Sequence, residues 1–237
     1  MARAEAIVFD VDDTLYDLAK PYRRAYAEVF SSRYSLPVDE LFTLSRSHSD
    51  VALELLTAGK ISEEDHKVLR VQWTFADFGV TVSREDALVF QAEYARAQQL
   101  IEPYPEAIEM LRCVRRVGIP MGVISNGDAE HQLEKLHRLG LEEFFDEGNL
   151  IVSGSFGRHK PAIELFEAME GRLGASGPGV WYVGDTYETD IVGAKHAGWS
   201  CVWLDVRGRA VPDVPERPDA VVHSPKEMCS FVCGLVG

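Results

Sequence analysis

The chain has 237 residues, 46% of them hydrophobic, enough to bury a substantial core as one large domain or two smaller ones. Lys and Arg number 24 against 38 Asp and Glu, a formal net charge of -14, which argues against a nucleic-acid backbone or an anionic lipid surface as partner. No apolar run reaches the roughly twenty residues that span a bilayer, and Cys113, Cys201, Cys229 and Cys233 make no C-x-x-C pair, so no membrane span and a cytoplasmic location are expected.

In chain order, the first predicted element is a strand at residues 6–9, AIVF, a β-branched-rich apolar run that ends on Asp10. Residues 17–100 then show helical periodicity with no convincing strand. Tyr22, Ala25, Tyr26, Val29 and Phe30 follow the i, i+3, i+4, i+7, i+8 stripe of an amphipathic helix. Ser62 with Asp65, and Ser83 with Asp86, have the spacing of capping boxes that start further helices. A helix opening at Pro105 carries Ala107, Ile108, Met110, Leu111 and Val114 and closes at Gly118, with Arg112, Arg115 and Arg116 in its later turns where cations suit the dipole. Next come a strand at 121–124 reaching Ser125, and a helix with Leu133, Leu136 and Leu139 that stops at Gly140. A strand at 150–152 runs on through a loop to Lys160, and a strand at 180–183 reaches Asp185. Strands at 201–204 and 220–222 close the series, joined by the Pro- and charge-rich loop 207–218. Short apolar strands alternating with helices predict an α/β fold with a parallel sheet covered on both faces. The core is expected at 1–16 and 101–237, with an inserted helical domain at 17–100.

Parallel strands of an open α/β sheet present their C-terminal ends at one edge, where ligands bind. Asp10, Asp12, Ser125, Lys160, Asp185 and Asp190 can therefore build one site from four distant segments. Two unit charges about 4 Å apart repel by roughly 4 kcal/mol at an effective dielectric of 20, so the gathered carboxylates call for a cation. Lys160 alone does not offset them. Hard oxygen donors without a His/Cys set favour Mg2+ over zinc. Rival motifs fail on their residues: an EF-hand starting at Asp10 meets Leu15 and Pro21 where Gly and Glu belong, and the glycines of 174–179 precede their strand instead of following it. His159, next to Lys160, reads as a surface histidine.

Asp10-Val-Asp12-Asp-Thr14-Leu, Val-Ile-Ser125-Asn126-Gly127, Lys160-Pro161 and Gly184-Asp185-Thr-Tyr-Glu-Thr-Asp190-Ile, in that order, resemble the four motifs of the haloacid dehalogenase superfamily, in its phosphatase-type branch with a helical cap after the first motif. Glu102-Pro-Tyr-Pro-Glu106 and Gly193-Ala-Lys-His-Ala-Gly198 match the connecting pattern, and Ala162-Ile163 depart from the Asp-Pro common after the lysine-proline pair. The resemblance implies a Rossmann-like core, with Asp10 as nucleophile, Asp12 as acid and base, and Lys160 as the cation on phosphate. Ser125 and Asn126 would hold the phosphate. Mg2+ would sit on Asp10, the backbone carbonyl of Asp12 and Asp185, with Thr14 and Asp190 in support.

A carboxylic acid at position 12 argues for phosphate, because family dehalogenases lack it and expel halide without a proton. The expected activity is a Mg2+-dependent phosphatase acting on a small phosphorylated metabolite through an aspartyl-phosphate. The alternatives are a sugar-phosphate mutase or a catalytically silent metal- or phosphate-binding regulatory protein. A monomer or homodimer is expected. The insert would act as a lid, with Tyr16, Lys20, Arg23 or Arg24 setting specificity.

Overall fold

The computed structural model describes residues 3–237 and divides the chain into two compact units, residues 3–17 with Glu102–Gly237, and Leu18–Ile101. The second unit contains α1 (Lys20–Val29), α2 (Val38–Thr57), α3 (Glu63–Ala76) and α4 (Arg84–Gln98). Ser62 caps α3 in a full capping box with Asp65. At α4 only half of the expected box forms: Ser83 accepts from Asp86 N–H, while the Asp86 carboxylate turns to Arg33 at 2.8 and 3.0 Å. The predicted stripe of α1 buries Tyr22, Ala25 and Tyr26, with Phe30 just beyond the helix, in an aromatic core. There Phe30 lies 4.5 Å from Phe75 and 5.4 Å from Phe90, ring to ring.

The first unit is built on one sheet: β1 (Ala6–Phe9), β2 (Met121–Ser125), β3 (Leu150–Val152), β4 (Val180–Gly184), β5 (Ser200–Leu204) and β6 (Ala220–Val222). The strands lie in the order β3-β2-β1-β4-β5-β6 with every pairing parallel. β1, β2, β4 and β5 are buried along their whole length, which is why they read as continuous apolar runs instead of alternating ones. Helices α5 (Pro105–Val117), α6 (Ala129–Arg138), α7 (Ser153–Phe156), α8 (Ile163–Leu173), α9 (Val192–His196) and α10 (Pro225–Val236) complete the unit. On one face Phe166 of α8 packs 5.6 Å from Tyr182 and 5.3 Å from Trp199; on the other, Trp181 meets Phe231 of α10 at 5.6 Å. Gly118 ends α5 in the left-handed conformation (φ 77°), as its position after the apolar stripe predicts.

Helix α6 departs from expectation. Its buried face is Gln132, Lys135, Leu136 and Leu139, while Leu133 is 47% exposed. The helix is rotated from the all-leucine stripe because Gln132 and Lys135 find polar partners inside the unit.

Register determines where the site forms. Phe9 lies opposite both Val123 and Val183, so Asp10, Ser125 and Asp185 leave the sheet at one edge. The chain moves outward from β1 through β2 to β3 and then returns to β4 on the other side of β1. That reversal opens a crevice beyond the strand ends, flanked by Asp10 and Asp185. Among the described residues no helix is long and apolar enough to cross a membrane.

Candidate active site

Beyond β1 the chain turns tightly, with Leu15 N–H donating to the Val11 carbonyl at 3.0 Å. Asp13 takes the left-handed region there (φ 55°), which aspartate tolerates better than most side chains. Thr14 is fully buried, and its hydroxyl reaches Asp10 Oδ2 at 3.5 Å.

The Lys160 ammonium is buried and donates to Asp10 Oδ1 at 2.6 Å, Asp190 Oδ1 at 2.7 Å and the Tyr182 hydroxyl at 2.9 Å, which occupies its three protons. Tyr182 donates onward to the Ile124 carbonyl at 2.8 Å. Asn126 ties the Lys160 loop to the end of β2: its Oδ1 accepts from Lys160 N–H at 2.8 Å, and its Nδ2 donates to the Lys160 carbonyl at 3.2 Å. A side chain after β2 thus positions one after β3, and Ala162-Ile163 leave this arrangement intact as the start of α8. Ser125, beside Asn126, is 1% exposed, and its hydroxyl finds no hydrogen-bond partner among the described residues. Leaving such a group unpaired costs about 1–3 kcal/mol, a cost that a bound oxyanion would remove.

Asp190 sits on a π-helical turn, Tyr187–Ile191, and its Oδ2 accepts from Thr186 N–H at 3.0 Å. A Cβ on Gly184 would lie 2.3 Å from that oxygen, so the glycine ending β4 is what lets the carboxylate approach. Asp185 receives the Thr186 hydroxyl on Oδ1 at 3.0 Å and Arg209 Nη1 on Oδ2 at 3.3 Å, while its carbonyl accepts from Trp203 Nε1 at 2.7 Å.

Carboxylate oxygens of Asp10, Asp185 and Asp190 all lie within 4.8 Å of one another. Burial pushes Asp10 up to about 7 against the pull of Lys160, and pushes Asp185 up to about 8 with Asp190 and Asp10 adding to the rise. Crowded, buried hard-oxygen donors of this kind fit a divalent cation. Asp190 commits both oxygens to Lys160 and the Thr186 backbone. Asp10 Oδ2 has a long contact with Thr14 at 3.5 Å, and Asp185 Oδ2 two long ones with Arg209 at 3.3 and 3.4 Å.

Lys160 is not the sole compensating cation, which corrects the charge count read from the sequence. Lys135 lies 2.6 and 2.9 Å from the two Asp12 oxygens, Arg207 2.5 Å from Asp13 Oδ2, and Arg209 meets Asp185. Both arginines come from the segment read only as a connecting loop; it follows the C-terminal end of β5 and so starts at the same rim as the acidic cluster. Burial pushes the Asp12 carboxyl up, but Lys135, with hydrogen bonds from Tyr16 and Gln132, outweighs it and holds the group below the usual carboxylate range.

Of the side chains considered for specificity, Tyr16 belongs to the first unit, is 2% exposed and donates to Asp12 Oδ1 at 2.5 Å. Within the insert, Arg23 is bridged to Asp39 at 2.7 Å, and Arg24 lines a groove with Glu28, Glu93 and Arg96. His159 is exposed, as a surface histidine should be. Tyr182, Gln132, Lys135, Arg207 and Arg209 were not predicted as site residues. Only the placement of two polar residues, Gln132 and Lys135, at i, i+3 beside Leu136 and Leu139 offered a sequence signal.

Residues 4–198 match a family model described as haloacid dehalogenase-like hydrolase. The chain is 32% identical over 204 residues to a glyceraldehyde 3-phosphate phosphatase of Methanothermobacter thermautotrophicus, covering 85% of each protein. It is 31% identical over 229 residues to a phosphoserine phosphatase of Thermus thermophilus, covering 96% of this chain and 82% of the relative. Among solved structures, the hydrolase YfnB of Bacillus subtilis, bound to magnesium, superposes with a TM-score of 0.67 at 22% identity over 97% of this chain and 99% of that one.

Proposed function

We propose, from the premise that this chain belongs to the haloacid dehalogenase-like hydrolases, that it hydrolyses a small phosphomonoester with Asp10 as nucleophile and Mg2+ as cofactor. The chain is a phosphoric monoester hydrolase, in keeping with the phosphatase names of relatives above 30% identity that align over most of both chains. The observation that carries the mechanistic reading is the buried Lys160 ammonium on Asp10, with the unpartnered Ser125 hydroxyl at the neighbouring strand end. Together they offer a nucleophile, a cation and an unused hydrogen-bond donor at one rim.

In this reading an Asp10 oxygen forms a bond to phosphorus as the ester P–O bond breaks, giving an aspartyl-phosphate that water then hydrolyses. The Ser125 hydroxyl and the Asn126 backbone N–H hold the transferring oxygens, and Lys160, its protons on Asp10, Asp190 and Tyr182, supplies positive charge beside them, which is most of what phosphoryl transfer needs from a protein. Asp12 gives a proton to the departing oxygen and later takes one from the attacking water. The Lys135 contact favours the ionised form of Asp12 before substrate arrives. A phosphomonoester, whose second pKa is near 6, brings the missing proton when it enters as the monoanion. When bound to Asp10, the Asp12 carbonyl and Asp185, Mg2+ supplies positive charge to the phosphoryl oxygens. Asp190 holds Lys160 in place, and Thr14 steadies Asp10.

A panel of phosphomonoesters assayed by released inorganic phosphate tests this. Wild-type protein should release phosphate in a Mg2+-dependent manner, and Asp10→Asn should abolish release. Undiminished turnover by Asp10→Asn would remove the nucleophile assignment. Interconversion of isomeric sugar phosphates with little free phosphate would instead indicate a mutase.

A further inference from the structure

Lys135 is a charged side chain on the buried face of a helix, 6% exposed, where an unpaired ammonium would cost several kcal/mol. Among the described residues, its hydrogen bonds go to one group, the Asp12 carboxylate. Its Nζ lies 2.6 Å from Asp12 Oδ1 and 2.9 Å from Oδ2, a fork onto both oxygens. Gln132, one turn earlier, donates from Nε2 to Asp12 Oδ2 at 3.1 Å and to the Asn126 carbonyl at 2.9 Å. Tyr16 completes the set on Oδ1 at 2.5 Å. The Asp12 side chain remains a quarter exposed, yet three side chains from two segments fix its direction. The backbone makes room for this: Gly127 has φ 142°, and a Cβ there would lie 2.8 Å from Gln132 Nε2.

We infer that Lys135 is the positioning residue of the acid/base carboxylate, aiming Asp12 at the leaving oxygen, with Gln132 linking that aim to the Ser125–Asn126 loop. Two consequences follow from the geometry. The single carbonyl of Asn126 and the single carboxylate of Asp12 share one donor, so the phosphate-side loop and the acid/base move as one piece. Lys135 acts on substrate through Asp12, whose carboxylate it orients and whose charge it balances. The inference rests on the proposed role of Asp12 and adds a residue to it.

The test compares kcat/KM for an alkyl and an aryl phosphate, since this ratio reports the steps through leaving-group departure, and phenolates leave with little help from an acid. Asp12→Asn should lower the alkyl value much more than the aryl one; if the ratio does not move, the assignment of Asp12 fails and the inference falls with it. If that ratio does move, Lys135→Met should reproduce its direction, with a loss on the order of a hundredfold for the alkyl ester. Lys135→Arg, which keeps the cationic fork, should recover most of it, and Lys135→Met added to Asp12→Asn should change nothing further. An equal loss on both esters, no loss, or a multiplicative effect in the double variant overturns the positioning role while leaving Asp12 in place. Should Lys135→Met not fold, Tyr16→Phe, which removes one donor from the same carboxylate, should shift the ratio the same way, and an unchanged ratio counts against the inference.

Discussion

Asp10 and Asp185 are buried acids whose carboxyls are raised from the ordinary 3.8 of an aspartate to about 7 and about 8. Raised carboxyl values mean that the folded protein keeps protons the unfolded chain has already lost. Between about pH 4 and pH 8 these two groups therefore bind fewer protons in the unfolded state than in the folded one, and their part of the stability falls as pH rises. Their contribution is intact below the unfolded value and gone above the folded one. A bound divalent cation reverses the logic by favouring the ionised carboxylates. Without divalent ions, the urea midpoint should decline across this window; with saturating Mg2+ the decline should flatten, and Asp185→Asn should remove most of the Mg2+ effect. A wild-type slope from pH 4 to pH 8 in metal-free buffer no more negative than that of Asp185→Asn would contradict the burial of Asp185. Asp12, two residues from Asp10, shifts the other way: a lysine lies against each, but Tyr16 and Gln132 add hydrogen bonds at Asp12, whereas Asp190 and Asp12 add like charge at Asp10. Neighbours in sequence are thus separated chemically by what the fold brings to each.

Elements, in contrast, follow their own local chemistry wherever the partners are local. The capping box of Ser62 and Asp65 and the left-handed stops at Gly118 and Gly140 required only their flanking residues, and all were readable in advance. The strands were equally plain, because burial on both faces removes polar residues from the whole run. Helix α6 was not. Three leucines at 133, 136 and 139 suggest a stripe, but Gln132 and Lys135 take the inner face because Asp12 and the Asn126 carbonyl are there to meet them. This rotation predicts unequal costs on α6. Leu136→Ala, at a 2% exposed site, should destabilise by about 2–5 kcal/mol, whereas Leu133→Ala, at a 47% exposed site, should stay within about 0.5 kcal/mol. Denaturant unfolding of the two variants decides the matter, and comparable losses would restore the all-leucine face.

At the scale of the whole molecule, the insert has the equipment of an independent domain. Leu18–Ile101 is continuous in sequence, and its aromatic core of Tyr22, Phe30, Phe75 and Phe90 is contained within it. Excised as residues 18–101, it should show a helical spectrum and a cooperative thermal transition by circular dichroism; a gradual, sigmoid-free loss of signal would mean that it depends on the rest of the chain. The first unit is discontinuous and joins its two pieces through the central strand β1, which pairs with β2 on one side and β4 on the other. By itself the sequence determined the fold class, the strands and the residues Asp10, Ser125 and Asp185 at or just beyond strand ends, because apolar periodicity and turn chemistry are local properties. Only the tertiary structure decided which charges meet: that Lys160 bridges Asp10 and Asp190, that Lys135 and Tyr16 grip Asp12, and that Arg207 and Arg209 return to Asp13 and Asp185. An ion pair leaves no periodic trace in a chain when its partners stand 24 to 194 residues apart, as these do, and it exists only once the fold has set both ends.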